Sequence, residues 1–217
     1  MPVEILWLGE ARCHDPATVG GKAANLSRLA EDYRVPPGFA VTAAAFEEAM
    51  RTGSEPGKTS VAGPTMSPAL YDVFADAYRR LVGMSQLQEL GVAVRSSAVG
   101  EDGADASFAG QHDTYLNVVG EEAVADAIVR CWASINNPHA LEYRRQKGLP
   151  LDGLRVAVLV QQLIPADVSA VVFGANPVTG TLDEVTINAS WGLGESIVGG
   201  TVTPDTFVVR KDALTVQ

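Results

Sequence analysis

Hydrophobic residues along the chain follow two spacings, and the spacing changes after about residue 150. Before that point, stretches of helical period alternate with short apolar runs. Glu4 to Leu8 reads as a first strand. After Gly20-Gly21, the residues Ala23, Leu26, Leu29 and Ala30 fall on one helical face. Pro36-Pro37-Gly38 breaks the pattern, and Phe39-Ala40-Val41 reads as a short strand. Thr42 is an N-cap for a helix that buries Phe46 and Met50. Thr52 to Pro68, rich in Gly, Ser, Thr and Pro, reads as a loop. Ser67-Pro68 opens a further helix with a cap and a first-turn proline, and Leu70, Val73, Phe74, Ala77 and Leu81 face inward. Glu121 to Ile135 is an amphipathic helix with Val124, Ile128, Cys131 and Trp132 as its apolar stripe. Asn136-Asn137-Pro138 ends it, and His139 to Lys147 reads as a short basic helix.

The second part of the chain reads as strands: Val156 to Gln161, Ser169 to Phe173, Glu184 to Asn188 and Phe207 to Arg210. Turns at Pro177-Val178-Thr179-Gly180 and Gly199-Gly200 punctuate them. The pattern predicts an α+β protein with a mixed first lobe over 1–150 and a sheet-rich second lobe over 151–217. No internal repeat interrupts it.

Composition narrows the function classes. With 47% hydrophobic and 19% charged residues among 217, the chain has enough apolar side chain for a core. Its formal charge of −10 argues against a broad nucleic-acid or anionic-membrane surface. It leaves room for a small anion, which needs only a few focused cations. The two cysteines, Cys13 and Cys131, show no metal-type spacing and read as reduced thiols of a cytoplasmic protein. The opening MPVEILWLGEARC lacks a basic region and a long apolar core, so no signal peptide is expected. No run of about 18 apolar residues is present, so no membrane span is expected.

The richest candidate chemistry lies in VAVRSSAVGEDGADASFAGQHDTYLNV, Val92 to Val118. The apolar run Val92-Ala93-Val94 reads as a buried strand ending on Arg95, Ser96 and Ser97. A small-residue loop follows, and a second strand begins at Asp113-Thr114-Tyr115-Leu116. An arginine fork fixed at a strand end, hydroxyls and a loop able to close over an anion suit a polyphosphate. A surface hairpin whose arginine pairs with Glu101, Asp102 or Asp105 fits this segment equally well. Lys22 follows Gly20-Gly21 at a helix start, where a cation and unpaired N–H groups suit phosphate. Taken alone, it reads as a solvated lysine, and the spacing of a P-loop is absent. Gln161 ends an apolar strand. His14, His112 and His139 have no metal-ligand spacing.

These segments occur in a fixed order: VGGKAANLSRL, VPPGFAVTAAAF, VAVRSSAVGEDGADASFAGQ, VLVQQLIPADVSAVVFGANPVTG and WGLGESIVGGTVTPDTFVV. The series, from about Leu8 to about Val209, resembles the amino-terminal ATP-binding domain of the phosphoenolpyruvate synthase, pyruvate phosphate dikinase and rifampin phosphotransferase family. The resemblance implies an ATP-grasp fold with nucleotide between two α+β lobes. It implies that Lys22 and Arg95 contact phosphates, with Ser96 and Ser97 bonded to the loop or the phosphates. It implies that Gly110 and Thr114, across the loop 95–111, line the ATP site. It also implies that Gln161 and the backbone of Leu163 meet adenine, whose edge asks for one donor and one acceptor. Glu195 stands in a GLGE motif shared with the family.

The activity implied is cleavage of ATP to AMP and phosphate. A phosphoryl group would pass through a histidine on another domain or subunit to pyruvate, a rifamycin antibiotic or another hydroxyl acceptor. Two departures bear on this. Where the family reads SGVxFTxxPxTG, this chain carries Ala170 for the glycine and Gly174 for the threonine. The family's domain also continues past TPDTFVV into a segment with a metal-binding glutamate, whereas this sequence stops at Gln217. Mg²⁺ between the phosphates is therefore expected to be held by residues outside the chain, the carboxy-terminal part of the fold to be missing, and the isolated 217 residues not to turn over efficiently. A non-catalytic nucleotide-binding or regulatory module is the alternative.

Overall fold

A computed structural model of the chain describes residues 4–53, 64–85, 90–99, 114–134 and 155–214, together with Glu142 and Arg145. The loop residues Ser107 to Gln111, including Gly110, lie outside the described residues, as do all of His139 to Lys147 but Glu142 and Arg145. In chain order the elements are β1 (Ile5–Trp7), α1 (Pro16–Leu29), β2 (Gly38–Val41), α2 (Ala43–Gly53), α3 (Pro68–Ser85), β3 (Val92–Ala98), β4 (Thr114–Val118), α4 (Glu121–Ala133), β5 (Val156–Gln162), β6 (Val168–Phe173), β7 (Glu184–Trp191), α5 (Glu195–Val198) and β8 (Asp205–Arg210). Mixed helix and antiparallel sheet place the chain in the α+β class, as its patterning predicts.

The chain divides into two units, Met1–Leu163 and Ile164–Gln217. The division falls after Leu163, later than the boundary at 150 expected from the change in texture. The reason is β5. Its run of apolar residues looks like the opening of a sheet-rich lobe, but it is the central strand of the first unit's five-stranded sheet, in the order β1-β2-β5-β3-β4. Val160 stands opposite both Phe39 on β2 and Val94 on β3. A strand covered on both faces is apolar throughout, so its composition says little about which sheet it joins.

Alternation gives the first unit's sheet two apolar faces. Phe39, Val41, Val92, Val94, Val158 and Val160 face a core built with α2, α3 and α4, where Phe74 and Trp132 meet edge-on at 5.9 Å. Leu6, Ala40 and Leu159 face the other way and pack with Val19, Ala23 and Ala24 of α1. The expected inward faces of α3 and α4 hold: Leu70, Phe74, Ala77, Leu81, Val124, Ile128, Cys131 and Trp132 are all buried. In α1 the buried positions are Val19, Gly20, Gly21, Ala23, Ala24 and Ser27, and Leu29 is exposed. The helix turns a face of small residues to the sheet, so the larger leucine falls outside the contact. Thr42 precedes α2 as expected of an N-cap, but its buried hydroxyl has no hydrogen-bond partner among the described residues. Its backbone is used instead: the carbonyl accepts from the Ala45 N–H at 3.0 Å and the N–H donates to the Glu4 carbonyl at 3.3 Å. Cys13 and Cys131 are buried free thiols, and burial pushes the Cys13 thiol up from its ordinary value.

Tyr78 joins α3 to the strand and helix that follow. Its hydroxyl donates to the Leu90 carbonyl at 2.8 Å and accepts from the Gly120 N–H at 3.0 Å. Tyr78→Phe leaves both partners unpaired in a buried place, so a loss of about 1–3 kcal/mol is expected in urea unfolding. An unchanged midpoint would show that water replaces the hydroxyl there.

The second unit is a three-stranded antiparallel sheet, β6-β7-β8. Register places Val168 opposite Trp191, and aligns Val172, Ile187 and Phe207 across the sheet. Opposed residues share a face, so this face is apolar, and Val172 and Trp191 are 60% and 81% exposed upon it. Every described apolar side chain that is buried belongs to the first unit. The NPVTG turn is closed by its own side chains: the Asn176 carboxamide oxygen accepts from the N–H groups of Val178 and Thr179, and its nitrogen donates to Glu184 at 2.7 Å. Lys211 Nζ donates to the carbonyl of Gly174 at 2.7 Å.

Candidate functional site

The α1 face of the first unit's sheet gathers most of the candidate residues. Helix α1 opens on a well-made cap. Asp15 accepts from the Ala17 N–H at 3.0 Å and from the Thr18 hydroxyl at 2.6 Å, and Pro16 follows at the first helical position. The Thr18 hydroxyl first, and the Ala17 N–H next, hold the Asp15 carboxyl below its ordinary range. Because the folded-state pKa is lowered, its contribution to stability is fully present above the unfolded value and is lost as pH falls through the folded one. Asp15→Ala is therefore expected to lower the melting temperature at neutral pH and to have no effect well below the aspartate range. An equal effect at both pH values would assign the loss to helix propensity.

The helix does not run straight through. Gly20 has φ 74° and ψ 166°, which breaks α1 before Lys22. A Cβ on Gly20 would lie 2.2 Å from the Ser97 carbonyl oxygen and 2.4 Å from its hydroxyl. Both the left-handed backbone and the close approach therefore require glycine. The chain restarts as helix at Gly21, with half-buried Lys22 in the new first turn, and the Ala23 N–H donates to Ser97 Oγ at 3.3 Å. The first glycine motif and the Arg-Ser-Ser motif, far apart in sequence, thus touch.

Arg95 is not at a strand end as expected. β3 continues through Ala98, paired residue by residue with β5 from Val92↔Gln162 to Ala98↔Val156. The arginine and the two serines are compatible with a strand paired with β5 along its whole length, so the apolar run alone underestimates that length. Alternation along this longer strand puts Ala93, Arg95 and Ser97 on the α1 face. Register adds Thr114 opposite Arg95, Leu159 opposite Arg95 on the other side, and Gln161 opposite Ala93. Lys22's helix, Arg95, Ser97, Thr114 and Gln161 therefore belong to one face.

Ser96 does not. It faces the α3 and α4 side with Val94 and Ala98, is buried, and its hydroxyl has no hydrogen-bond partner among the described residues. The residue beside Lys22 is Ser97. Gln161 has a structural bond of its own: its side-chain nitrogen donates to the Pro36 carbonyl at 3.0 Å. The Leu163 N–H donates to the Gly91 carbonyl at 2.9 Å, so that donor is already used within the protein. Arg95 forms no ion pair among the described residues, and Glu101, Asp102 and Asp105 lie outside them. Glu195 begins the short α5 in the second unit.

Arg155 gave no signal in the sequence. Its Nε donates to Glu47 at 2.6 Å and its Nη1 to the Ala17 carbonyl at 3.4 Å, while its own carbonyl accepts from Val99 at 3.0 Å. It ties α2, the first turn of α1 and the end of β3 together next to the loop. Only long-range pairing reveals it, since an isolated arginine before a strand has no motif.

Among the described residues, no three His, Cys, Asp or Glu side chains gather as metal ligands. No step through a metal follows from them. Among the same residues no helix is long and apolar enough to cross a membrane.

A five-stranded sheet packed on a glycine-kinked helix that carries Lys22, with Arg95 on the same face, defines an α+β unit. Comparison with known proteins makes the class specific. The pyruvate phosphate dikinase, AMP/ATP-binding domain family matches residues 49–217. The chain belongs to that family. It is 40% identical over 238 aligned positions to a probable phosphoenolpyruvate synthase of Staphylothermus marinus, covering 97% of this chain and 28% of the relative. It is 41% identical over 236 positions to a phosphoenolpyruvate synthase of Aeropyrum pernix, covering 97% of this chain and 29% of the relative. With a probable phosphoenolpyruvate synthase of Methanocaldococcus jannaschii the identity is 36% over 235 positions, covering 97% and 20%. The chain thus spans less than a third of the length of these relatives.

Proposed function

We propose that this chain binds ATP for a dikinase-type phosphotransferase of phosphoenolpyruvate synthase type. Lys22 and Arg95 hold the phosphates, Gly110 and Thr114 line the site, and the strand end at Gln161 and Leu163 meets the base. ATP is cleaved to AMP and phosphate, and a histidine in another domain or subunit carries a phosphoryl group to pyruvate or another hydroxyl compound such as a rifamycin. Mg²⁺ is supplied by residues beyond the described ones. The second unit belongs to the second lobe of an ATP-grasp fold, and the protein works in the cytoplasm.

The observation that carries this reading is the contact of Gly20 and Ala23 with Ser97, because it puts the Lys22 segment on the same sheet face as Arg95. A lysine segment and an arginine on one sheet face bring two cationic residues near each other in a chain whose net charge is −10. Calorimetry with ATP and Mg²⁺ tests binding, and AMP release tests turnover. Binding without AMP, even with the carboxy-terminal part of a relative's domain added, would favour the non-catalytic nucleotide-binding module. No binding at all would reject both readings.

A further inference from the structure

The residues Gly20 and Ala23 bracket Lys22, and both rest on the same residue of β3. The kink at Gly20 lies against the Ser97 main chain so closely that a Cβ would sit 2.2 Å from its carbonyl oxygen. The Ala23 N–H stands in the first turn after the kink, where a helix leaves its amides without an internal partner. It donates to Ser97 Oγ at 3.3 Å, and Ser97 is fully buried. Ser97 is held in turn. Its neighbours Ser96 and Ala98 pair with Val158 and Val156 on β5, in the centre of the sheet. Arg95 is two residues away on the same strand and the same face.

We propose that Ser97 is a positioning residue: it fixes the place of Lys22 relative to Arg95 by holding both ends of the segment Gly20–Ala23. What Lys22 then touches rests on the nucleotide reading above. How Lys22 is held does not. The hydroxyl matters because no water competes for the Ala23 N–H at a fully buried serine, so its removal leaves that amide unpaired or lets the segment shift. The hydroxyl of Ser96, on the opposite face of the strand, cannot replace it.

The test is Ser97→Ala in the 217-residue chain, followed by amide hydrogen exchange at Ala23, melting temperature and ATP calorimetry. The calorimetry is repeated with Lys22→Ala as background. Exchange at Ala23 is expected to rise about tenfold, and ATP affinity to fall about tenfold, on losing one buried hydrogen bond. The affinity loss is expected to vanish when Lys22 is already alanine, because a purely structural serine would cost the same in both backgrounds. Unchanged exchange at Ala23, or an equal affinity loss without Lys22, would overturn the proposal. If the unaltered chain binds no ATP while exchange at Ala23 still rises, the nucleotide reading fails and the hold of Ser97 on the segment stands. Should Ser97→Ala not fold, Ser97→Cys takes its place, since sulfur fills the site but accepts weakly.

Discussion

Gly20→Ala is expected to destabilise the first unit by about 2–5 kcal/mol, from left-handed backbone strain of about 1–2 kcal/mol and overpacking of about 1–3 kcal/mol. The backbone contribution follows from φ 74° at residue 20. The packing contribution follows from what the new methyl would meet. At 2.2 Å the obstacle is the carbonyl of Ser97, a main-chain atom on a strand hydrogen-bonded to both neighbours. A flexible side chain could swing aside, but this stretch of β3 cannot move without disturbing its pairing with β5. The substitution should therefore either unfold the first unit or force α1 away from the sheet. Urea unfolding followed by tryptophan fluorescence separates these outcomes, because Trp132 is buried in the core on the other face. A lowered midpoint with an unchanged slope indicates simple destabilisation. Gly120 offers a control. Its φ is also positive, 95°, but a Cβ there meets nothing within 4 Å. Gly120→Ala should show the backbone strain alone and cost roughly 1–2 kcal/mol.

The contrast between these glycines shows what was legible in the sequence. Helix faces in α3 and α4 follow from spacing because large residues such as Phe74, Ile128 and Trp132 repeat at helical period. The strands of both sheets follow from apolar runs and turns. The partnership of β5 is not legible, since an apolar strand fits the centre of either sheet. The site is legible only as separate motifs. Lys22, Arg95, Thr114 and Gln161 stand out by residue type or neighbourhood, but the sequence contains no statement that Gly20 rests on Ser97. Which of Ser96 and Ser97 lies on the α1 face depends on where β3 ends. An ending at Val94 leaves both serines in a loop, whereas a strand through Ala98 sends them to opposite faces. Arg155 escaped because its partners, Glu47 and Ala17, are distant in sequence.

Lys22→Ala and Arg95→Ala are each expected to weaken ATP binding by about tenfold to a hundredfold, since a charge-assisted hydrogen bond contributes about 1.5–3 kcal/mol. The two should differ in how they can be rescued. Lys22 acts as a point charge at the restart of α1, so Lys22→Arg should keep much of the affinity if the longer side chain fits. Arg95 projects from a strand fixed on both sides, opposite Thr114 and Leu159, and offers a planar fork. Arg95→Lys should recover little, because an ammonium cannot make the paired bonds a guanidinium makes to phosphate oxygens. Neither variant should lower the melting temperature by more than a few degrees, since both side chains are only half-buried. Calorimetry at two salt concentrations adds a further check. Affinity carried by these cations must fall as salt rises, and the fall should be shallower in each variant. Equal affinity in the unaltered chain and in both alanine variants would remove Lys22 and Arg95 from the site, and would leave the Gly20–Ser97 contact as a feature of folding alone.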